Sequence, residues 1–268
     1  MSALKVPMYQ VDAFAGQVFT GNPAAICPLE TWLPDAQMQA IAAENNLAET
    51  AFFVRNGKGY KLRWFTPVVE VDLCGHATLA TASVILNDLT PSERSVSFET
   101  KSGTLTVTRD GELYSLDFPA RPPQPCADVY PGLLPALGGQ PEAVLAARDY
   151  FVVYGSEEEL RSLKPDMQAL MKLDRFAVIA TAPGSDSGPQ AADFVSRFFA
   201  PAKGVPEDPV TGSAHCSLIP YWSKRLGKTK LHAFQISPRG GELWCENRGE
   251  RVTMSGKAVR FFEGTIYL

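Results

Sequence analysis

The chain has no apolar run approaching the ~18–20 residues that a helix needs to cross a bilayer. Residues 1–10 also lack the apolar core of a secretory signal, so a cytoplasmic protein without a membrane partner is expected. There is no dense run of Lys or Arg. Twenty-five basic against 29 acidic residues give a net charge of -4, which argues against a generic nucleic-acid surface. Lys224, Arg225, Lys228 and Lys230 do gather, but at the end of an expected helix, where cations complement the dipole. The five cysteines (Cys27, Cys74, Cys126, Cys216 and Cys245) are odd in number and form no Cys-x-x-Cys pair. Reduced thiols are expected, not a disulfide scaffold. Histidine is scarce too: His76, His215 and His232 show no His-Glu-x-x-His spacing, so no metal site is expected. What remains is ordinary globular composition, 45% hydrophobic over 268 residues, enough for one large domain or two of about 100–150 residues.

The organising stretch is Leu73-Cys74-Gly75-His76-Ala77-Thr78-Leu79-Ala80. Residues 77–86 carry no charge on any face, the signature of a helix buried all round. It follows the acidic run Glu70-Val71-Asp72 and opens at Cys74-Gly75-His76. Orphan N–H groups and the positive dipole end make such a start a seat for an anion.

The stretch occurs twice. Arg63-Trp64-Phe65-Thr66-Pro67 precedes Gly75-His76-Ala77, and Arg197-Phe198-Phe199-Ala200-Pro201 precedes Gly212-Ser213-Ala214, with Glu207-Asp208 as the second acidic segment. A separation near half the chain implies duplication of a domain rather than a short-period repeat. Two such halves are expected to set two helix starts facing a shared cleft, a favoured place for ligands.

Strands are predicted at 7–14 and 24–28, then a helix over 34–45, a connector 46–50 holding Glu49, and a buried strand 51–54. Asn56-Gly57 signals a hairpin into a strand over 60–66. Strands follow at 95–100, 104–108 and 113–118. Residues 119–125 contain four prolines and form the best boundary. Beyond it, Pro141 is read as opening a short helix, 149–154 as a strand, 165–172 as helical, and 175–181 and 193–199 as strands. The tract 183–189 reads as an exposed loop. The second buried helix spans Gly212 to about Leu226, capped by Gly227. Strands near 230–237, 242–247 and 251–255 precede a last strand, 258–266, expected to return to the first half. The fold class is therefore α+β: two pseudo-symmetric domains, each a curved, mostly antiparallel sheet wrapped around a central buried helix. The expected domains are 1–118 with the returning strand 258–268, and 119–257. A parallel α/β sheet would need more crossover helices than this sequence offers.

Four ordered stretches carry a resemblance: Val11-Asp12-Ala13-Phe14 with Gly21-Asn22-Pro23-Ala24; Asn46-Leu47-Ala48-Glu49-Thr50; Cys74-Gly75-His76-Ala77-Thr78; and Glu207-Asp208-Pro209-Val210-Thr211-Gly212-Ser213-Ala214. With them the chain resembles the phenazine-biosynthesis PhzF-like family, which shares the fold of diaminopimelate epimerase. The resemblance implies isomerase chemistry on a small anionic substrate, no cofactor and commonly a homodimer. It also implies Glu49 as the acid/base residue, with His76, Asp208 and Ser213 around the substrate and Gly75 and Gly212 at the two helix starts. Asn22 is a further candidate for substrate contact. The family often carries serine just before the glutamate; here it is Ala48, which bears on whether the substrate is the phenazine precursor.

The residues themselves are compatible with this chemistry. A carboxylate ahead of Ala51-Phe52-Phe53 can be held in low dielectric, where burial raises its pKa toward the working pH. Each candidate also has an ordinary structural reading: a surface glutamate, a core histidine, a turn aspartate before proline, a serine at a helix start. The duplicated context and the motif order favour function. Two rivals stand beside the isomerase. A two-thiol epimerase or racemase of the same fold needs a cysteine in each half, yet the residue matching Cys74 is Thr211, and Cys216 lies deeper in the helix. A non-catalytic binding or scaffold protein could also keep the fold.

Overall fold

The uncharged run after Cys74 is helical and buried as its composition requires. The computed structural model describes residues 4–187 and 190–268, and divides into two compact units: 1–117 with 255–268, and 118–254. In the first unit, helix Gly75–Val84 buries every residue from His76 to Val84. Its hydroxyls are satisfied inside the helix: Thr78, Thr81 and Ser83 donate to the carbonyls of Cys74, Ala77 and Ala80 at 2.5–2.7 Å. Side-chain-to-backbone bonds of this kind let polar residues sit in a core. A π-helical turn, Ile85–Leu89, ends it.

The helix packs against strands Lys5–Ala13, Asn22–Leu29 and Glu49–Asn56. The first pairs antiparallel with the second and with the last strand, Ala258–Tyr267. The second and third are parallel, joined through helix Asp35–Asn45, whose left-handed cap Asn46 (φ 49°) turns the chain back. Strand Glu49–Asn56 then pairs antiparallel with Gly59–Phe65, which continues in parallel with Ser95–Thr100. Strands between the central helix and the outer cluster of Val6, Cys27, Met38, Ile41, Phe52 and Phe65 are apolar on both faces, hence near-continuous apolar runs such as Ala51-Phe52-Phe53-Val54. Gly21 is obligatory: at φ +67° it brings Asn22 opposite Ala13, and a Cβ there would lie 2.2 Å from the Ala13 carbonyl oxygen.

The second unit repeats the pairing order. Strand Tyr150–Val153 is parallel to Val178–Pro183, antiparallel from there to Phe194–Phe199, and parallel again to Lys230–Gln235. Its central helix, Gly212–Leu226, ends at Gly227 in the left-handed conformation. Pro220 lies inside this helix and has no N–H to give the Cys216 carbonyl one turn back. The Arg121 N–H donates to that carbonyl instead, at 2.8 Å.

The repeated Arg-aromatic-aromatic motif has the same job in both units. Arg63 forks onto Glu70 at 2.7 and 2.9 Å and lies over Phe65. Arg197 forks onto Glu207 at 2.8 and 2.9 Å and lies over Phe199. Each fork ties a strand to the acidic segment before a central helix. Arg63, with Lys101 beside it, draws the Glu70 carboxyl down to about 2 against the opposing effect of burial. A depressed folded pKa contributes stability that is full above about pH 5 and fades as pH falls toward 2. Glu70→Gln should cost on the order of 1–3 kcal/mol at neutral pH and weaken the acid dependence of the urea midpoint. An unchanged midpoint-against-pH curve between pH 5 and 2 would rule this out.

Two local expectations are corrected. Pro141 opens no helix; it precedes the short strand Ala143–Ala146, which pairs with Tyr150–Val153. The nearby helices are Leu133–Leu137 and Glu157–Ser162. Glu49 is not in a connector but is the first residue of a strand. In the loop tract, residues 185–187 are exposed, while Gly188 and Pro189 lie outside the described residues. No helix among the described residues is long and apolar enough to cross a membrane.

Candidate active site

Asn22 and Glu49 both stand at the start of parallel neighbouring strands, and helix Gly75–Val84 starts beside them. The strand starts and the helix start therefore converge. His76 Nε2 lies 3.1 Å from Glu49 Oε2. Its Nδ1 lies 3.2 Å from Asn22 Nδ2 and 3.5 Å from Cys74 Sγ. His76 and Cys74 are buried, while the Glu49 side chain keeps 16% exposure. Beyond the His76 contact, Glu49 Oε2 makes no hydrogen bond to the described residues. Burial opposes a charge on His76, but the Cys74 sulfur and the Glu49 carboxylate more than offset it, and the imidazole pKa is raised well above its usual value. Burial and the Glu49 carboxylate push the Cys74 thiol up to about 11.

Gly75 is the first residue of its helix, preceded by Cys74 in an extended conformation with no side-chain cap. Gly212 is likewise first, preceded by extended Thr211, again without a side-chain cap. Cys74 and Thr211 thus occupy the same place in the two units. First-turn N–H groups left uncapped can receive an anion.

In the second unit, Asp208 accepts from the Thr211 hydroxyl at 2.5 Å. The buried Gln235 holds this loop by accepting from the Thr211 N–H at 2.8 Å and donating to the Asp208 carbonyl at 2.7 Å. Ser213 is half-buried, with its hydroxyl 3.4 Å from Arg148. His215, one turn in, is fully buried and bonded to the Thr211 carbonyl, and burial lowers it to about 4. The structure brings Asn22, Glu49, His76 and Gly75 together in the first unit and Asp208, Gly212 and Ser213 in the second. Sequence reasoning missed Gln235, which carries no local motif, and Arg148, which only the strand pairing places.

That pairing also shows where the units differ. Thr50 opposes Phe65 and Val178 opposes Phe199, so the counterpart of Glu49 is Ala177. Ala25 opposes Thr50 and Tyr150 opposes Val178, so Arg148 and Asp149 stand where Pro23 and Ala24 stand in the first unit. The second copy has no carboxylate at the Glu49 position. The donor atoms of Glu49, Cys74 and His76 lie within 4.8 Å of one another, so these three are also the residues that could hold a metal.

The family model for phenazine biosynthesis-like proteins (PhzC–PhzF) matches residues 11–264. The chain belongs to this PhzF-like family. An uncharacterized isomerase of Pseudomonas aeruginosa is 52% identical over 99% of this chain and 100% of its own. The crystal structure of a PhzF-family protein from Enterococcus faecalis is similar at a TM-score of 0.94, 50% identical, covering 99% of this chain and 100% of the other. A Pseudomonas aeruginosa protein described as a predicted epimerase shares the fold at a TM-score of 0.73 and 20% identity, over 97% and 99% of the two chains. Membership of an isomerase-like family and the α+β epimerase-type fold therefore stand together.

Proposed function

We propose that the PhzF-like chain is a cofactor-independent isomerase that moves a proton between carbons of a small unsaturated or cyclic acid. The observation carrying this reading is the Glu49–His76 contact at 3.1 Å: a partly exposed carboxylate against a buried imidazole whose pKa is raised. Glu49 takes the proton from an activated carbon and returns it to another. His76, aligned by Asn22, steadies the carboxylate as its charge changes. Gly75, at the helix start of the first unit, holds polar groups of the substrate, and Asp208, Gly212 and Ser213 form the corresponding helix start of the second unit. The two compact units are the two domains of the enzyme, and it acts as a cytoplasmic homodimer. Incorporation of deuterium from solvent into a panel of small unsaturated acids tests the activity; a panel that incorporates none above the protein-free rate overturns it, and a scaffold protein would give that result.

The two-thiol reading is disfavoured by Thr211, which offers a hydroxyl where a second thiol would stand, and by Cys216, which burial pushes up to about 11. Cys74, at about 11 itself, presents a thiol rather than a thiolate at neutral pH. Cys74→Ala should keep at least a tenth of wild-type turnover. Complete loss in a protein with unchanged circular dichroism would restore the thiol mechanism.

A further inference from the structure

Three side chains of the first unit bring ligand atoms of different kinds to one point. Cys74 precedes its helix in an extended conformation and His76 stands in the first turn, which sets their side chains together. The Cys74 sulfur lies 3.5 Å from His76 Nδ1 and 4.0 Å from Nε2. Glu49 Oε2 lies 3.1 Å from Nε2. One donor atom from each of the three residues falls within 4.8 Å of the other two. In a tetrahedral zinc site, with bonds of about 2.0–2.1 Å to nitrogen and oxygen and about 2.3 Å to sulfur, neighbouring ligand atoms stand about 3.3–3.6 Å apart. Small side-chain adjustments bring the cluster to that geometry.

The surroundings suit a cation as well as the distances do. Cys74 and His76 are buried, and the buried Glu49 Oε2 has no partner but His76 among the described residues. A carboxylate, a thiolate and a neutral imidazole carry two negative charges, which a divalent cation cancels; buried charges persist when paired or bound to a metal. Ligands give up their protons as a metal binds, so the cation displaces those of Cys74 and His76 to water. His76 Nδ1 meets the Asn22 amide at 3.2 Å. A half-turn of that amide exchanges its nitrogen for its oxygen. The oxygen then accepts the Nδ1 proton and leaves Nε2 free for the metal, the support that ligating histidines usually have. The Glu49 side chain keeps 16% exposure, which opens the fourth ligand position to water. Sulfur and imidazole select zinc over magnesium or calcium, which take oxygen ligands.

We propose that Glu49, Cys74 and His76 bind one zinc ion and that this ion switches the enzyme off. The site stands on the geometry of the first unit. Its inhibitory effect rests on the isomerase reading above: the lone pair that zinc takes is the one with which Glu49 accepts the substrate proton, so metal and reaction exclude each other. The Cys74 thiol, idle in the proton transfer, is the ligand that gives the ion its hold.

The test uses the full-length protein, stripped of metal with EDTA, and Zn²⁺, Co²⁺ and Mg²⁺ as probes. Calorimetry should find one zinc ion per chain, undisturbed by a large excess of Mg²⁺. Co²⁺ should give a sulfur-to-cobalt charge-transfer band in the near ultraviolet, and Zn²⁺ should bleach it. Cys74→Ser should lose the band and bind zinc at least tenfold more weakly. Cys126→Ser, at the only cysteine of the five that is not buried, should keep both. Glu49→Gln should keep the band and weaken zinc severalfold. X-ray absorption of the wild-type zinc complex, expected to show one sulfur among nitrogen and oxygen ligands, covers the case in which Cys74→Ser fails to fold. Absence of stoichiometric zinc binding, a band that survives Cys74→Ser, or a zinc shell without sulfur would overturn the site. Deuterium incorporation into the acid panel should fall at least tenfold with one equivalent of zinc and return with EDTA. Undiminished incorporation with the site filled would overturn the inhibition. A panel that incorporates nothing even without metal defeats the isomerase reading and the inhibition with it, while binding and spectrum still decide the site.

Discussion

Glu49→Gln is expected to lower turnover by ~10²–10⁴-fold, the usual contribution of general acid–base catalysis. The amide keeps the shape and hydrogen-bonding reach of the carboxylate but cannot accept the proton. The contact with His76 would change from an ion pair to a neutral hydrogen bond. Substrate binding should survive, since Asn22 and the helix start at Gly75 are untouched. Glu49→Asp should be impaired as well, because losing one methylene draws the carboxylate back from both His76 and the substrate carbon. With Glu49 beside His76 in the first unit and Ala177 at its counterpart in the second, the proton should leave and return on the same face of the substrate. Turnover, binding and deuterium incorporation for wild type and Glu49→Gln decide the matter. Equal turnover in the two proteins would mean that another residue moves the proton.

The largest loss of stability is expected at Trp222. It is fully buried, stacks on Phe194 with centroids 5.7 Å apart and planes 4° apart, and meets Tyr221 edge-on at 5.3 Å. Its indole N–H donates to Thr181 Oγ1 at 2.9 Å, and Arg225 lies over the ring. Trp222→Ala removes the transfer energy of the ring and leaves a cavity between the central helix and strand Phe194–Phe199. A cost of about 3–5 kcal/mol follows. Trp222→Phe keeps most of the apolar area but gives up the bond to Thr181, and should cost less than half as much. Chemical denaturation followed by far-UV circular dichroism reads both. A Trp222→Ala midpoint within error of wild type would show that the site collapses without penalty.

The central helices were legible in the sequence because an uncharged ten-residue run has one stable place, inside a sheet. The duplicated Arg63 and Arg197 motifs were legible because each repeats Arg, two aromatics, a small residue and proline ahead of an acidic segment, although the arginine stands seven residues before Glu70 and ten before Glu207. The helix Glu157–Ser162 was also signalled. Ser156 accepts from the Glu159 N–H at 3.2 Å, and Ser-x-x-Glu is a recognised start, but the short segment has no apolar period to draw attention to it. Pro141 misled because proline opens strands as readily as helices, and Ala143-Val144-Leu145-Ala146 suits either. Glu49 was placed one element off, since a strand edge and a connector look alike where the flanking residues are small. The contacts of Gln235 and Arg148 depend on strands distant in sequence. Only the register of those strands brings them to the second helix start.

The proline-rich tract 119–125 has a meaning beyond stiffness. Its first two residues other than proline, Ala120 and Arg121, each spend their N–H on a distant carbonyl, that of Glu250 and that of Cys216, both at 2.8 Å. The prolines fall where these donors are not needed. Proline at position 121 would lose its bond to Cys216, and a residue other than proline at position 220 would bring an N–H that competes for the same carbonyl. The two sites, 99 residues apart in sequence, are thus coupled through one carbonyl oxygen.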